Sequence, residues 1–291
     1  MEVKDTMPGS VTQMPVTKVN GSTSALYCDV LSVEEPLEIS IAYGPKTARQ
    51  QKNISVTMRT PGNDAELATG FLFTEGIITS YDDVIEAYHT NYNCTSQKQN
   101  SIRVALAESF MPSLNQADRN FYTTSSCGVC GKSAIQSIKT VSKFKDLQKP
   151  ALHLDVDMLY HLSENFKTAQ NDFASTGGIH ASGIFTVDGE LVLLREDVGR
   201  HNALDKLIGN AFINRLLPLN CHILLLSGRA SFELIQKAAM AGINIVAAIG
   251  APSSLAVSLA REFDITLLGF LRKERFNIYH IGKHVQIPYS I

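Results

Sequence analysis

The chain lacks tryptophan, lacks an excess of either charge, and lacks any apolar run long enough to cross a membrane. Its longest apolar runs, residues 223–226 and 243–249, fall far short of the roughly 20 residues a bilayer-spanning helix needs, so no membrane partner is expected. The 26 Lys and Arg nearly balance the 28 Asp and Glu, which leaves no general field to attract nucleic acid; an anionic ligand has to be held by local groups. Cysteine is scarce: five residues, an odd number with one close pair, do not make a disulfide framework. No apolar stretch follows Glu2, Lys4 and Asp5, so a signal peptide is not expected and the cytoplasm is the expected compartment. There is no second C-x-x-C, no Walker A and no G-x-G-x-x-G, which argues against a paired-cysteine metal site and against ordinary nucleotide or dinucleotide sites.

What is present is a globular chain of 291 residues, long enough for one large domain or two modest ones. Residues 1–25 are rich in Thr, Ser, Val, Pro and Gly without period and read as a disordered tail. Residues 36–44, 54–58 and 101–106 alternate apolar and polar as half-buried strands do, and residues 64–73 read as a helix begun by Asn63 or Asp64. Residues 26–150 are therefore expected to form a small α+β domain. Beyond a basic connector ending at Pro150, a helix is expected over 155–170, and Asp188-Gly189 marks a hairpin between strands 179–187 and 191–194. Continuous apolar strands at 223–226, 243–249 and 265–271 then alternate with helices at 201–213, 231–242 and 252–263. Strands of that kind are covered on both faces, so residues 151–291 are expected to form an α/β/α sandwich.

Chemistry centres first on Cys127-Gly128-Val129-Cys130-Gly131-Lys132, two thiols each followed by a glycine, ahead of a helix-like segment. A helix N-terminus and a neighbouring lysine both favour the thiolate. Four readings compete: a dithiol oxidoreductase, a zinc site recruiting distant His180, His201 or Cys221, a pair of inert buried thiols, and a nucleophilic or sulfur-carrying cysteine on a loop. His180 follows a glycine turn, but a deaminase would carry H-x-E there and the third position is Ser182. Residues 195–206, including Arg200 and His201, lie at a strand-to-helix junction, where anionic ligands bind in open α/β sheets; a solvated helix start with a His201–Asp205 pair is the plainer reading. Ser227-Gly228-Arg229-Ala230-Ser231 repeats that setting, and the cluster Phe270, Leu271, Arg272, Lys273, Glu274, Arg275 follows the last strand, where its cations either reach the same pocket or form a solvated loop.

Taken together, Asp64-Ala65-Glu66-Leu67-Ala68-Thr69-Gly70-Phe71, the Cys127–Cys130 pair, the run from Glu196 to Lys206, Ser227-Gly228-Arg229-Ala230-Ser231 and Gly269-Phe270 stand in the order of one family. From about residue 37 to 279 the chain resembles FdhD/NarQ, the formate dehydrogenase accessory sulfurtransferases. The resemblance implies a sulfur carrier that accepts persulfide sulfur from a cysteine desulfurase on Cys127, supported by Cys130. It passes that sulfur to bis-molybdopterin guanine dinucleotide for the formate dehydrogenase apoenzyme. It implies cofactor contacts along residues 270–275, mimicry of the cofactor by guanine nucleotides, a cytidine-deaminase-like sandwich, and a cytoplasmic homodimer. Lys273-Glu274 stand where the family often has glycines. Two rivals remain: a cofactor-binding chaperone without sulfur transfer, and a dithiol oxidoreductase.

Overall fold

The computed structural model describes residues 9–90, 99–114, 143–144 and 147–288. The first departure from the sequence reading is at the start. Part of the expected disordered tail is a β-hairpin, β1 (Val11–Asn20) with β2 (Thr23–Ser32), paired in register from Val11–Ser32 to Asn20–Thr23. The physical reason is the two-residue Gly21-Ser22 loop. Gly21 sits at φ 58°, the left-handed conformation that the first central position of a type II′ turn requires. The Asn20-Gly21 dipeptide was the available signal for it.

A four-stranded sheet follows, built from β3 (Glu35–Tyr43), β4 (Gln50–Arg59), β5 (Val84–His89) and β6 (Ser101–Leu106) in the order β4-β3-β6-β5. Its buried side, including Leu37, Ile39, Ile41, Ile102 and Val104, packs under α1 (Asp64–Thr74) through Leu67 and Leu72. The expected strands and helix are all there; β5, which the sequence reading does not include, completes the sheet by pairing with β6.

The larger unit begins with a short strand, β7 (Leu152–His153), then α2 (Val156–Ala169) and α3 (Asn171–Thr176). Asp155 caps α2, its Oδ1 accepting from the Met158 N–H at 2.9 Å. Next come β8 (His180–Thr186), β9 (Leu191–Asp197), α4 (Arg200–Ile213), β10 (His222–Leu226), α5 (Phe232–Met240), β11 (Ile245–Ala248), α6 (Ser254–Glu262), β12 (Thr266–Arg272), β13 (Arg275–His280) and β14 (Val285–Gln286). Six of these strands form one sheet in the order β13-β12-β11-β10-β8-β9, with β10, β11 and β12 mutually parallel. Strand alternation sorts its core residues to two sides. Ile223, Leu225, Ile245 and Ala247 meet Leu159, Leu162 and Phe166 of α2, whereas Leu224, Leu226, Val246 and Ala248 meet α4, α5 and α6. Helices thus cover both faces, the three-layer α/β arrangement expected from continuous apolar strands.

The two sheets share one apolar core, because α1 crosses α4 at very short range. Gly70 and Gly209 form the crossing: a Cβ on Gly70 would stand 1.9 Å from the Asp205 carbonyl oxygen, and one on Gly209 would stand 1.8 Å from that of Glu66. Only glycines allow backbones so near. Polar ties flank the crossing. Arg195 grips the Glu66 carboxylate at 2.5 and 2.8 Å, with Asn210 adding 2.8 Å. Arg59 and Asp64 form a second bidentate pair, both contacts 3.0 Å.

Candidate functional site

The candidate site residues gather at one edge of the six-stranded sheet, where the parallel strands end. The connections leaving β10, β11 and β12 are stitched together by backbone hydrogen bonds. The Gly250 N–H donates to the Gly228 carbonyl at 3.0 Å, Ser253 to Ala230 at 3.0 Å, and Phe270 to Gly250 at 3.1 Å. Gly250 permits this, since a Cβ there would lie 2.9 Å from the Arg229 nitrogen. His180, at the start of β8, pairs with Asp197, at the end of β9, so both belong to the same edge; Arg200 opens α4 immediately after. His180, Arg200, His201, Arg229 and Phe270, far apart in sequence, therefore share one rim. Such rims are the ligand-binding side of open α/β sheets.

The start of α4 on the rim carries two basic or imidazole side chains, Arg200 and His201. Gly199 provides no side-chain cap and the first turn of α4 carries no acidic residue, so no side chain of the cap position satisfies its first N–H groups. The buried Nε of Arg200 has no hydrogen-bond partner. At α5, by contrast, Glu233 stands in the first turn. Burial alone would raise its pKa, but hydrogen bonds from its own backbone N–H and from Ser231, with His201 and Arg200 nearby, hold it below the usual carboxylate value. His201 Nε2 lies 3.4 Å from Ser231 Oγ and 3.9 Å from Glu233 Oε2. Burial first, then the positive charges of Lys237 and Arg200, push its pKa down to about 4 against the pull of Glu233, so the imidazole is neutral at pH 7. His180 is lowered too, chiefly by burial and by Arg200, and its Nδ1 sits 3.3 Å from Ser227 Oγ, which also accepts from the Ala181 N–H at 2.9 Å.

Residues 270–275 form a hairpin rather than a loop after the last strand. Lys273-Glu274 is the two-residue turn between β12 and β13, with Arg272 paired to Arg275. Neither turn residue has positive φ, so non-glycine residues fit there without strain; the strained position is Phe270, at φ 55° and 39% exposed. Arg272 donates through Nη1 to the Ile249 carbonyl at 2.8 Å, binding the hairpin to the rim, and Lys273 pairs with Glu164 of α2 at 3.4 Å. Leu271 is fully buried in the core on the α2 side.

The dense run from Glu196 to Lys206 divides into two roles. Arg200 and His201 serve the rim, while most of its other polar residues hold the protein together. Glu196 accepts from the Asp172 and Phe173 N–H groups at the start of α3, at 3.0 and 2.9 Å, and burial raises its pKa. Asp197, fully buried, binds Lys206 Nζ at 2.7 Å and accepts from the Thr60 N–H at 3.1 Å and the Gly199 N–H at 2.8 Å. Asn202 donates to the Met58 carbonyl at 2.7 Å. Asp205 accepts from Thr74 Oγ1 at 2.9 Å and pairs with Lys237 at 3.0 Å, so the plainer reading, an exposed His201–Asp205 pair, is not what forms. Sequence reasoning missed Lys237 and Glu233. Nothing in their local pattern sets them apart from ordinary helix residues; only the fold brings them to His201.

Cys127 and Cys130 lie outside the described residues, as does Cys94. Cys28 and Cys221 are free and exposed, and no cluster of metal-ligating residues occurs among the described residues. Two hollows lie elsewhere: a small one of about 30 Å³ at the opposite sheet edge, by Pro218 and Asn244, and a cleft of about 480 Å³ between Ser10, Gly62 and Asn171.

A sequence profile of the FdhD/NarQ family matches residues 32–286. The chain belongs to the FdhD/NarQ family. The matched segment starts at the last residue of β2 and takes in every strand and helix of the rim. Among curated relatives, the sulfur carrier protein FdhD of Mycolicibacterium paratuberculosis is 46% identical over 270 residues, 91% of this chain and 94% of that protein. That of Streptomyces avermitilis is 43% identical over 279 residues, 95% and 96% respectively. A solved formate dehydrogenase accessory protein from Desulfotalea psychrophila superposes with a TM-score of 0.69 at 20% identity, covering 95% of this chain and 99% of that one, which shows a shared fold.

Proposed function

We propose that this protein is a cytoplasmic sulfur carrier, a sulfurtransferase in the maturation of formate dehydrogenase. The observation that carries the proposal is family membership together with the open, cationic terminus of α4 on the rim. Cys127 thiolate attacks the outer sulfur of a cysteine desulfurase persulfide; that S–S bond breaks, the donor thiolate leaves, and Cys127 becomes the persulfide. Cys130 then attacks the Cys127 sulfur. Hydrosulfide departs to the acceptor, and the Cys127–Cys130 disulfide is reopened by a dithiol reductant. The acceptor is bis-molybdopterin guanine dinucleotide, whose phosphates suit the uncapped N–H groups of α4, the unpartnered Nε of Arg200 and the exposed Arg229. Phe270 to Arg275 border the same rim. On this reading the sandwich is a cytidine-deaminase-like fold put to another use, with Ser182 where a deaminase has its glutamate. The protein works as a homodimer.

The deciding experiment is incubation with a cysteine desulfurase and sulfur-labelled cysteine, beside Cys127→Ala. Label on the wild type that is lost from the variant is the expected result. Undiminished label on Cys127→Ala overturns the assignment, and full formate dehydrogenase activity in cells carrying that variant favours a chaperone that does no sulfur transfer.

A further inference from the structure

The β1–β2 hairpin is a ribbon of ten residue pairs that leaves the body of the protein. Its anchorage is at the base, where Ser10 Oγ donates to Asp172 at 3.2 Å, Ser32 Oγ donates to Thr176 at 3.0 Å and the Val33 N–H reaches the Ser10 carbonyl at 2.8 Å. Beyond that base it exposes Met14, Val19, Leu26 and Tyr27; Leu26, at 82%, is the most exposed large apolar residue among those described. A two-stranded ribbon is at best marginally stable in water, and independent stability starts at three strands or more. Something has to cover it.

Among the described residues neither outer edge of the ribbon is paired, and the two edges differ. Across a two-residue loop, Asn20 and Thr23 form a hydrogen-bonded pair, so by alternation Pro15–Cys28 is a pair whose backbone groups point outward. Pro15 therefore deletes an outward N–H from the β1 edge, which Lys18 guards further; both are devices that blunt an edge. The β2 edge carries neither. Its outward groups belong to Ser24, Leu26, Cys28 and Val30, and the last N–H is already taken by Asp29 Oδ1 at 3.0 Å.

The geometry points to pairing of this β2 edge with β2 of a second copy, antiparallel across a two-fold axis at Leu26; the inference rests on the homodimer reading above. Only a two-fold uses the same edge twice and closes. With the axis at Leu26, Leu26 faces Leu26 of the partner subunit and Ser24 faces Cys28 of the partner subunit. All three free residues then exchange their backbone groups, about six hydrogen bonds in all. Asp29 falls opposite Thr23 of the partner subunit, so no like charges meet. The result is a four-stranded sheet, past the threshold for stability. The edge is roughly 30 Å long. Zipped together with its flanking apolar side chains it covers roughly 500–600 Å² per partner, the low end for specific contacts.

The test is native mass spectrometry and light scattering of the full chain beside Leu26→Pro and Thr17→Pro. Each proline removes one outward N–H and leaves the β1–β2 ladder intact, Leu26→Pro on the open edge and Thr17→Pro on the blunted one. The expected result is a wild-type dimer, weakened at least about tenfold by Leu26→Pro and unchanged by Thr17→Pro. In a Cys28→Ser background, Leu26→Cys forms a self-crosslink on mild oxidation, mapped by peptide mass. A wild-type monomer overturns the dimer itself. A dimer indifferent to Leu26→Pro, with no crosslink through residue 26, overturns this interface while leaving the dimer standing.

Discussion

Replacing Gly209 by alanine sets two well-characterised effects against each other. Alanine is the better helix former by about 1 kcal/mol, so on propensity alone α4 gains. The new methyl, however, would stand 1.8 Å from the Glu66 carbonyl oxygen and 2.9 Å from the Gly70 nitrogen, both backbone atoms with no freedom to swing aside. To reach ordinary van der Waals separation the helices must part by at least about 1.5 Å. Overpacking of this kind costs about 1–3 kcal/mol. Parting the helices also strains the Arg195–Glu66–Asn210 and Thr74–Asp205–Lys237 ties on either side, and a buried pair deprived of its partner costs about 3–5 kcal/mol. Partial loosening gives a net loss of about 2–4 kcal/mol, a fall in Tm of roughly 3–7 °C for a chain of this size. Urea and thermal unfolding followed by circular dichroism measure it. Because Gly70 and Gly209 meet at the same point, Gly70→Ala added to Gly209→Ala costs less than it does alone. Unchanged or increased stability of Gly209→Ala would refute the close crossing.

Three further outcomes are expected. Asp197→Asn leaves Lys206, only 2% exposed, without its counter-charge, and unfolds about 3–5 kcal/mol more easily in urea. His201 is harder to protonate in the folded chain (about 4) than in the unfolded one (6.5), so the unfolded state binds the extra proton between those values. Its share of stability is intact above pH 6.5 and declines by up to about 3 kcal/mol as pH falls toward 4. His201→Gln flattens that slope, and an imidazole NMR titration with a midpoint near 6.5 would contradict the burial described. Arg200→Ala and Arg229→Ala each weaken binding of a guanine nucleotide about 10–100-fold and reduce its salt dependence, read by calorimetry at two ionic strengths; equal affinity across all three proteins removes the rim as the anion site.

The sandwich was legible because its strands are continuous apolar runs of a length that suits only buried sheet, and because Asp188-Gly189 and Asp155 declare a hairpin and a helix start in local chemistry. The hairpin at residues 11–32 is not legible in the sequence in the same way. Its composition is that of a linker, and its one strong signal, Asn20-Gly21, was outweighed by the polar alternation of a ribbon exposed on both faces. β13 was hidden by its charges, since Arg272 and Arg275 flank a turn that needs no glycine. The rim residues could be named singly from their strand-to-helix settings. That Lys237 lowers the His201 pKa depends on α5 lying against α4, and that Asp205 turns inward to Thr74 depends on α1 lying against α4, neither of which any local pattern encodes.

The division of labour along residues 196–206 has a consequence for how variants of this protein are interpreted. Within that short helix start, positions that touch solvent at the rim are interleaved with positions that fasten one sheet to the other. An alanine scan through it would return a nearly uniform loss of activity with two unrelated origins. On the proposed function, residues 197, 202, 205 and 206 would score as essential through loss of folded protein, and residues 200 and 201 through loss of ligand. Abundance measured beside activity separates the two groups, and only the second group reports on chemistry.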